Sequence, residues 1–141
     1  MAVGLVIVSH SARLAEGVVE LAGQMSRGSV RLVAAGGTDD GALGTSLAKV
    51  LHAIESADVS DAAGASDGVL VLVDLGSAGL VAEMALEQLP ERRRARVRLC
   101  DAPLVEGAVV AAIEASVGST LEQVAATAQD AVHLKKIAKR V

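Results

Sequence analysis

The sequence has no phenylalanine, tyrosine or tryptophan among its 141 residues. Proteins that hold sugar rings or single-stranded nucleic acids commonly stack them on aromatic side chains, so this absence argues against both functions. The core must instead consist of valine, leucine, isoleucine and alanine. The chain has one cysteine, Cys100, so no internal disulfide can form, which suits a reducing compartment.

Two further features are missing: an excess of positive charge and a long apolar segment. The formal net charge is −4, which disfavours attraction to nucleic acid or to an anionic membrane. No run approaches the roughly 20 apolar residues of a membrane-spanning helix, and the N-terminus lacks the basic start of a signal peptide. We therefore expect a cytoplasmic protein with neither a nucleic-acid nor a membrane partner.

Four short apolar runs predict buried β-strands. They lack strict alternation of apolar and polar residues, as expected of parallel strands covered on both faces. Helical apolar stripes follow each run, and one begins with Leu80 and Met84, which we expect to face the core. This alternation predicts an α/β fold: a three-layer open sheet, mostly parallel, of at least four strands flanked by about five helices. The strands are predicted at residues 3–8, 30–35, 69–73 and 97–100.

A chain of this length fits a single domain. We place that domain at residues 1–132 and treat residues 133–141 as a basic C-terminal tail or helix end. The last helix has a start signal, because residues 119–122 fit a capping box with Ser119 as the N-cap residue. Five arginines at residues 92–98 indicate a solvated face, with nucleic-acid binding as the lesser alternative.

The loops that follow the four predicted strands hold much of the glycine and many small polar residues. They span residues 9–13, 36–46, 74–79 and 101–103. Because the carboxyl ends of parallel strands meet at one edge of the sheet, these loops converge. Open α/β folds bind their ligands at that edge, so we predict the functional site there.

His10 lies between the first predicted strand and the first predicted helix. An imidazole exists in both neutral and charged forms near neutral pH and can act as a nucleophile. The amino end of the helix favours a bound anion beside it and disfavours an imidazolium. These properties suit acceptance of a phosphoryl group. The alternative is a histidine that only completes the turn, and the position at the carboxyl edge favours the catalytic role.

Asp74 ends the third predicted strand and is the candidate partner of His10. An unpaired carboxylate at the end of an apolar strand would be costly. If the first and third strands are neighbours, Asp74 can accept a hydrogen bond from Nδ1 of His10 and leave Nε2 as the nucleophile. An aspartate that only caps the next helix or shapes the turn is the alternative.

The glycine-rich loops can bring backbone amides and hydroxyls to phosphate oxygens. Glycine also simply makes turns, and neither loop has the lysine of a Walker P-loop. Arg13 is a candidate for docking a partner, although a surface arginine is the common alternative. His52, His133 and Cys100 lack the spacing of metal ligands, so no metal site is predicted. The candidate phosphoryl-binding residues are Ser11, Gly36, Gly37, Thr38, Gly76 and Ser77.

Four segments in this order resemble the mannose-type IIA family of the phosphoenolpyruvate:sugar phosphotransferase system. Within that family they are most similar to the phosphotransfer subunits of phosphoenolpyruvate-dependent dihydroxyacetone kinases. The resemblance covers roughly residues 1–132. The segments are LVIVSHS at residues 5–11, AGGTDD at 35–40 followed by Gly44 and Thr45, VDLGSA at 73–78, and VRLCDAPLVEG at 97–107.

The resemblance implies that the phosphocarrier histidine protein phosphorylates Nε2 of His10, with Asp74 as the orienting carboxylate. The phosphoryl group then passes to ADP in the nucleotide-binding subunit of the kinase, and the resulting ATP phosphorylates dihydroxyacetone. This chain itself would bind no cofactor. The family also implies a homodimer. Because the sequence ends at Val141, we expect the phosphoryl donor to be a separate protein.

Three alternatives remain open at this stage. A mannose-type IIA component would pass the phosphoryl group to a sugar-transporter subunit instead of ADP. A small metal-chelatase-like enzyme also begins with a strand that runs into a histidine-containing turn, but it needs further ligands at the same edge. A regulatory module would dock onto a kinase without forming a phosphohistidine.

Overall fold

Four parallel strands form the sheet that the apolar runs predict. They are β1 (Val3–Ser9), β2 (Leu32–Gly36), β3 (Gly68–Val73) and β4 (Val97–Cys100). Their order is β2-β1-β3-β4, which makes β1 and β3 the central strands of this computed structural model. The structure describes residues 2–58 and 67–139.

Helices cover both faces of the sheet. They are α1 (Ala12–Met25), α2 (Leu47–Ala57), α3 (Gly76–Gln88), the short α4 (Glu91–Arg94), α5 (Leu104–Ser116) and α6 (Leu121–Asp130), and a 3₁₀ turn (Ala131–His133) follows. One face packs against α1, α5 and α6, and the other packs against α2 and α3. The predicted three-layer α/β fold is therefore confirmed. In the described ranges, no helix is both long enough and apolar enough to cross a membrane.

Strand β1 shows why the apolar runs are continuous. Leu5 and Ile7 point into the layer of α1, α5 and α6, whereas Val6 and Val8 point into the layer of α2 and α3. All four side chains are fully buried. A strand covered on both faces needs apolar residues at every position, so the alternation typical of a half-exposed strand is absent.

Helix α3 packs on the sheet through alanines, and the prediction that Leu80 and Met84 face the core is wrong. Those two side chains are 62% and 51% exposed. The buried face carries Ala78, Ala82 and Ala85 instead. Small side chains let the helix backbone come close to the sheet, so the larger apolar residues are displaced to the outer side.

The capping box of α6 is shifted by one residue from the predicted position. Thr120 is the N-cap: its Oγ1 accepts from the Gln123 amide at 3.2 Å, and Gln123 Oε1 accepts from the Thr120 amide at 2.9 Å. Ser119 lies outside the box, and its hydroxyl donates to Glu114 at 2.7 Å. The sequence contains two overlapping boxes, and the structure forms the second.

Two arginines of the cluster at residues 92–98 make contacts that hold the fold together. The Arg94 guanidinium donates to the carbonyls of Leu86 and Leu89 at the end of α3, both at 2.9 Å. Arg96 pairs with Asp58, whose side chain is 2% exposed, at 2.6 Å. Part of the arginine cluster therefore stabilises the fold, which goes beyond the solvated face expected from the sequence.

The C-terminal segment does not continue α6 as a basic helix end. Helix α6 ends at Asp130, and the 3₁₀ turn follows. Beyond that turn, Lys136 pairs with Glu106 in the first turn of α5 at 2.8 Å and holds the pKa of that carboxyl below its ordinary value. The boundary that we place at residue 132 stays a prediction.

Candidate active site

The topology of the sheet brings the first and third loops together. Strands β1 and β3 are neighbours, and their pairing runs up to Val8 opposite Val73. His10 therefore emerges beside Asp74 at the carboxyl edge. The chain leaves β1 for α1 on one face and leaves β3 for α3 on the other face, so a crevice opens between these two strands. This is the position at which open α/β folds bind their ligands.

His10 and Asp74 are joined side chain to side chain. Nδ1 of His10 lies 3.0 Å from Oδ1 of Asp74, and the two side chains are 27% and 12% exposed. An ionised carboxylate can only accept a hydrogen bond, so Nδ1 carries the proton. The lone pair of the neutral ring then lies on Nε2, the nitrogen away from Asp74.

Asp74 accepts more than the imidazole proton. Its Oδ2 accepts from the Ser9 hydroxyl at 2.9 Å and from the His10 amide at 3.0 Å, and its Oδ1 also accepts from the Leu75 amide at 2.7 Å. Burial alone would raise the pKa of this carboxyl, but the hydrogen bonds outweigh burial and hold the pKa below its ordinary value. Asp74 is therefore a carboxylate at neutral pH.

Ser9 belongs to this arrangement, although the sequence pattern did not mark it as a candidate residue. It occupies the last position of β1 and is fully buried. Besides its bond to Asp74, its Oγ accepts from the Ser11 amide at 3.0 Å. A hydroxyl that ends an otherwise apolar strand, directly before a candidate catalytic histidine, is the sequence signal that could have found it.

Ser77 contacts the other side of the imidazole. Its Oγ lies 2.7 Å from Nε2 of His10, and because Nδ1 holds the ring proton, the hydroxyl donates this hydrogen bond. Ser77 is in the first turn of α3, which has Leu75 as its N-cap and no side-chain cap among the described residues. The first amides of α3 and the positive end of its dipole thus favour an anion beside Nε2.

The start of α1 lies on the opposite side of the crevice. Its N-cap is Ser11, whose hydroxyl accepts from the Leu14 amide at 3.2 Å. Two helices therefore begin next to His10.

Arg13 is exposed on the first turn of α1 and has no ion-pair partner in the described part of the chain. Its role in docking stays a prediction.

Gly36 and Gly37 have structural reasons to be glycine. A Cβ on Gly36 would lie 2.6 Å from the Ser11 carbonyl oxygen, so only glycine lets the end of β2 approach the start of α1 this closely. Gly37 has a φ of +76°, and its amide donates to the Ser9 carbonyl at 3.1 Å. Both residues shape the floor of the site, and their contact with a phosphoryl group stays a prediction.

The Thr38 hydroxyl faces its own loop in this structure. It donates to the Asp40 carboxylate, and its oxygen accepts from the Ala42 amide at 3.0 Å. The loop in turn contacts His10, because the Gly44 amide donates to the His10 carbonyl at 2.8 Å. Thr38 therefore orders the loop beside His10, and a direct role in phosphoryl binding stays a prediction.

The three other residues considered as metal ligands lie apart. His52 on α2 and His133 in the 3₁₀ turn are exposed, whereas Cys100 on β4 is buried, which raises the pKa of its thiol. Within residues 2–58 and 67–139, no three histidine, cysteine, aspartate or glutamate side chains come together at a distance suited to a metal ion.

Two exposed leucines flank His10 and Asp74. Leu75 follows Asp74 and is 61% exposed, and Leu43, which is 80% exposed, precedes the glycine whose amide bonds to the His10 carbonyl. Single exposed apolar side chains are common on protein surfaces, whereas contiguous apolar patches mark protein contacts. A role of these two leucines in contacting another protein is therefore a prediction.

Fold and site together have the form of a IIA component of a sugar phosphotransferase system. Residues 4–125 match the EIIA-man family, described as the PTS system fructose IIA component. The chain belongs to this family, and the resemblance noted from the sequence is confirmed. Membership also favours phosphotransfer over the metal-chelatase-like alternative.

Similar proteins include phosphoryl donor subunits of dihydroxyacetone kinases. The chain is 49% identical over 138 residues to the "PEP-dependent dihydroxyacetone kinase, phosphoryl donor subunit DhaM" of Klebsiella michiganensis, which covers 96% of this chain and 28% of that protein. It is 37% identical over 122 residues to subunit DhaM of PEP-dependent dihydroxyacetone kinase 2 of Listeria innocua, which covers 86% and 93%. The chain thus spans 28% of the length of the first relative.

Solved structures have the same fold. The crystal structure of the unknown function protein EF1359 superposes with a TM-score of 0.78 at 35% identity and covers 99% of this chain and 100% of that one. The mannose/sorbose specific IIA subunit from Enterococcus faecalis superposes with a TM-score of 0.57 at 24% identity, with 100% of both chains covered. This second likeness shows the fold alone.

Proposed function

We propose that this chain accepts a phosphoryl group on Nε2 of His10 from the phosphocarrier histidine protein and passes it to ADP in the nucleotide-binding subunit of a dihydroxyacetone kinase. The observation that carries the proposal is the 3.0 Å contact between Nδ1 of His10 and Oδ1 of Asp74. It leaves the Nε2 lone pair available at the open edge of the sheet. The relatives named as phosphoryl donor subunits support the kinase as the destination.

In the first transfer, the lone pair of Nε2 attacks the phosphorus on the donor histidine. A new N–P bond forms as the donor's N–P bond breaks, and the donor ring keeps the electron pair. Nδ1 of His10 retains its proton, so the phosphorylated ring carries positive charge. The Asp74 carboxylate, 3.0 Å from Nδ1, stabilises that charge.

The phosphoryl oxygens need hydrogen-bond donors once the N–P bond has formed. The Ser77 hydroxyl, 2.7 Å from Nε2, is released from the lone pair and can donate to a phosphoryl oxygen instead. The first amides of α3, including that of Gly76, lie at the same end of the crevice and add the helix dipole. Positioning and charge stabilisation of this kind supply most of the catalysis in phosphoryl transfer.

In the second transfer, an oxygen of the ADP β-phosphate attacks the phosphorus on Nε2. The N–P bond breaks, its electron pair returns to Nε2, and ATP forms on the partner subunit. The histidine is again neutral with its proton on Nδ1, so the cycle is closed. The nucleotide stays with the partner, and we propose no cofactor for this chain.

We also propose that the chain acts as a homodimer. Helix α1 carries Leu21 and Met25, which are 46% and 51% exposed, and α5 carries Ile113, which is 40% exposed. These two helices pack side by side on one face of the sheet. An apolar strip of this kind supports association of two copies, and light scattering of the purified chain measures the number of copies.

The decisive experiment supplies the chain with radiolabelled phosphoenolpyruvate and the upstream carriers, then adds the ADP-bound partner subunit. We expect acid-labile phosphate on the chain, lost to ATP when the partner is added. The His10→Ala variant should take up none, whereas His52→Ala, a change at an exposed histidine on α2, should behave as wild type. Labelling of His10→Ala would overturn the assignment, and transfer only to a sugar-transporter subunit would identify that alternative as the function.

A further inference from the structure

Ser9 is buried at the end of β1 and has a hydroxyl whose direction is determined by its neighbours. Its Oγ accepts the Ser11 amide at 3.0 Å and lies 2.9 Å from Oδ2 of Asp74. A hydroxyl has a single proton, and an amide can only donate. The Ser9 proton therefore has to point to Asp74.

The carboxylate of Asp74 is held by donors on both oxygens. Oδ2 accepts from the Ser9 hydroxyl and the His10 amide, and Oδ1 accepts from Nδ1 of His10 and the Leu75 amide. Bonds on both oxygens fix the rotation of the carboxylate about its Cβ–Cγ bond. Loss of the Ser9 donor leaves the His10 amide as the donor to Oδ2, so the carboxylate is held less tightly in the plane that faces Nδ1.

We propose that Ser9 is a positioning residue whose hydroxyl orients the Asp74 carboxylate and thereby keeps the proton of His10 on Nδ1 and the lone pair on Nε2. The inference rests on the proposed function and explains how the site stays ready between transfers. A buried hydroxyl needs partners to offset its desolvation. Here the partners are the Asp74 carboxylate and the Ser11 amide, both next to His10, and Ser9 directly precedes His10 in the chain.

The test compares Ser9→Ala with Ser26→Ala. Ser26 is also buried, at 4% exposure, but it lies at the other end of α1, where its hydroxyl donates to the Gly23 carbonyl at 3.3 Å. Nitrogen-15 spectra of the chain labelled in histidine report which ring nitrogen of His10 carries the proton. We expect Ser9→Ala to lower the ratio of the Nδ1-protonated to the Nε2-protonated ring by about twofold or more, the low end of the coupling between residues of one hydrogen-bond network. Ser26→Ala should leave the ratio unchanged.

A second variant covers the case in which Ser9→Ala fails to fold. Ser9→Cys keeps a side chain of similar shape with a much weaker donor, so the ratio should move in the same direction. A folded Ser9→Ala or Ser9→Cys chain with the wild-type ratio would overturn the positioning role. The ratio is measured without any partner, so it does not depend on phosphotransfer. A wild-type chain that takes up no phosphoryl group would instead overturn the proposed function and leave this result standing.

Discussion

The side-chain oxygen of Ser77 lies 2.7 Å from Nε2 of His10, the ring nitrogen opposite the one bound to Asp74. The imidazole is thus held at both nitrogens, by a carboxylate from the end of β3 and by a hydroxyl from the first turn of α3. Both contacts come from the same short segment after β3. That segment therefore determines the tautomer of the ring as well as the environment of its reactive nitrogen.

Ser77→Ala should weaken the phosphorylated state. The phosphoryl group loses a hydroxyl donor, and a hydrogen bond to a charged group contributes about 1.5–3 kcal/mol. Because the same hydroxyl donates to Nε2 before transfer, the net effect is the difference between a charged and a neutral hydrogen bond, and we expect the equilibrium to shift towards the phosphocarrier by about fivefold. Quantifying labelled phosphate on both proteins at equilibrium measures this, with Ser77→Thr as the variant that keeps a hydroxyl. An equal shift in Ser77→Thr, or none in Ser77→Ala, would contradict the prediction.

Asp74→Asn should slow phosphotransfer without unfolding the domain, and its effect on stability should depend on pH. The native pKa of Asp74 lies below its ordinary value of 3.8, so the ionised carboxylate stabilises the fold. That contribution is fully present above the pKa of the unfolded chain and is lost as the pH falls through the lower native pKa. Denaturant unfolding of both proteins between neutral and strongly acidic pH should show wild type losing its advantage over Asp74→Asn only below about pH 4. A difference in unfolding free energy between the two proteins that does not change with pH would contradict a stabilising role of the ionised Asp74 carboxylate.

Leu43→Ser should impair contact with the phosphocarrier and leave the fold intact. Leu43 is 80% exposed beside His10, so its replacement costs little in stability but removes apolar contact with a docked protein. We expect the KM for the carrier to rise about fivefold to tenfold, which corresponds to a contact residue worth more than 1 kcal/mol. Val117→Ser is the matched control, because Val117 is 73% exposed at the other end of the domain. Equal kinetic effects in both variants would refute a docking role for Leu43.

Gly36→Ala should destabilise the domain, whereas Gly17→Ala should not. The new Cβ at residue 36 would lie 2.6 Å from the Ser11 carbonyl oxygen, and overpacking of this kind costs about 1–3 kcal/mol. Gly17 lies inside α1, where a Cβ would have no neighbouring atom within 4 Å, so alanine there should stabilise the helix by up to about 1 kcal/mol. Thermal unfolding of the two variants compares them directly, and a Gly36→Ala chain as stable as wild type would show that β2 and α1 can move apart.

The contact between His10 and Asp74 was accessible to sequence analysis because it depends on backbone topology. Parallel strands covered on both faces are continuous apolar runs, and the residues that end them must meet at one edge. His10 and Asp74 end neighbouring strands, so their contact follows once β1 and β3 are paired. Ser77 was likewise expected near His10 as a phosphoryl-binding residue, and the structure adds that its hydroxyl contacts Nε2 of the ring.

Other features depend on side-chain packing that periodicity does not encode. Leu80 and Met84 have the spacing of a buried stripe, yet alanines on another side of α3 allow a closer approach to the sheet. Two overlapping capping boxes fit the sequence pattern equally well, and the structure forms the one that begins at Thr120, while Ser119 donates to Glu114 on α5. Ser9 was missed because a serine after an apolar run usually marks a turn, and its bonds to Asp74 and the Ser11 amide exist only in the assembled site.

The two ends of α3 differ in how their backbone groups are satisfied. Arg94 binds carbonyls at the carboxyl end, whereas no side chain of the described residues caps the amino end. A phosphoryl group on His10 would supply an acceptor for the first amides of α3. Phosphorylation would therefore cap this helix in addition to giving the imidazole ring a positive charge. The order of the first turn of α3 would then differ between the phosphorylated and the free protein, and a partner that contacts this turn would distinguish the two forms before any phosphoryl transfer.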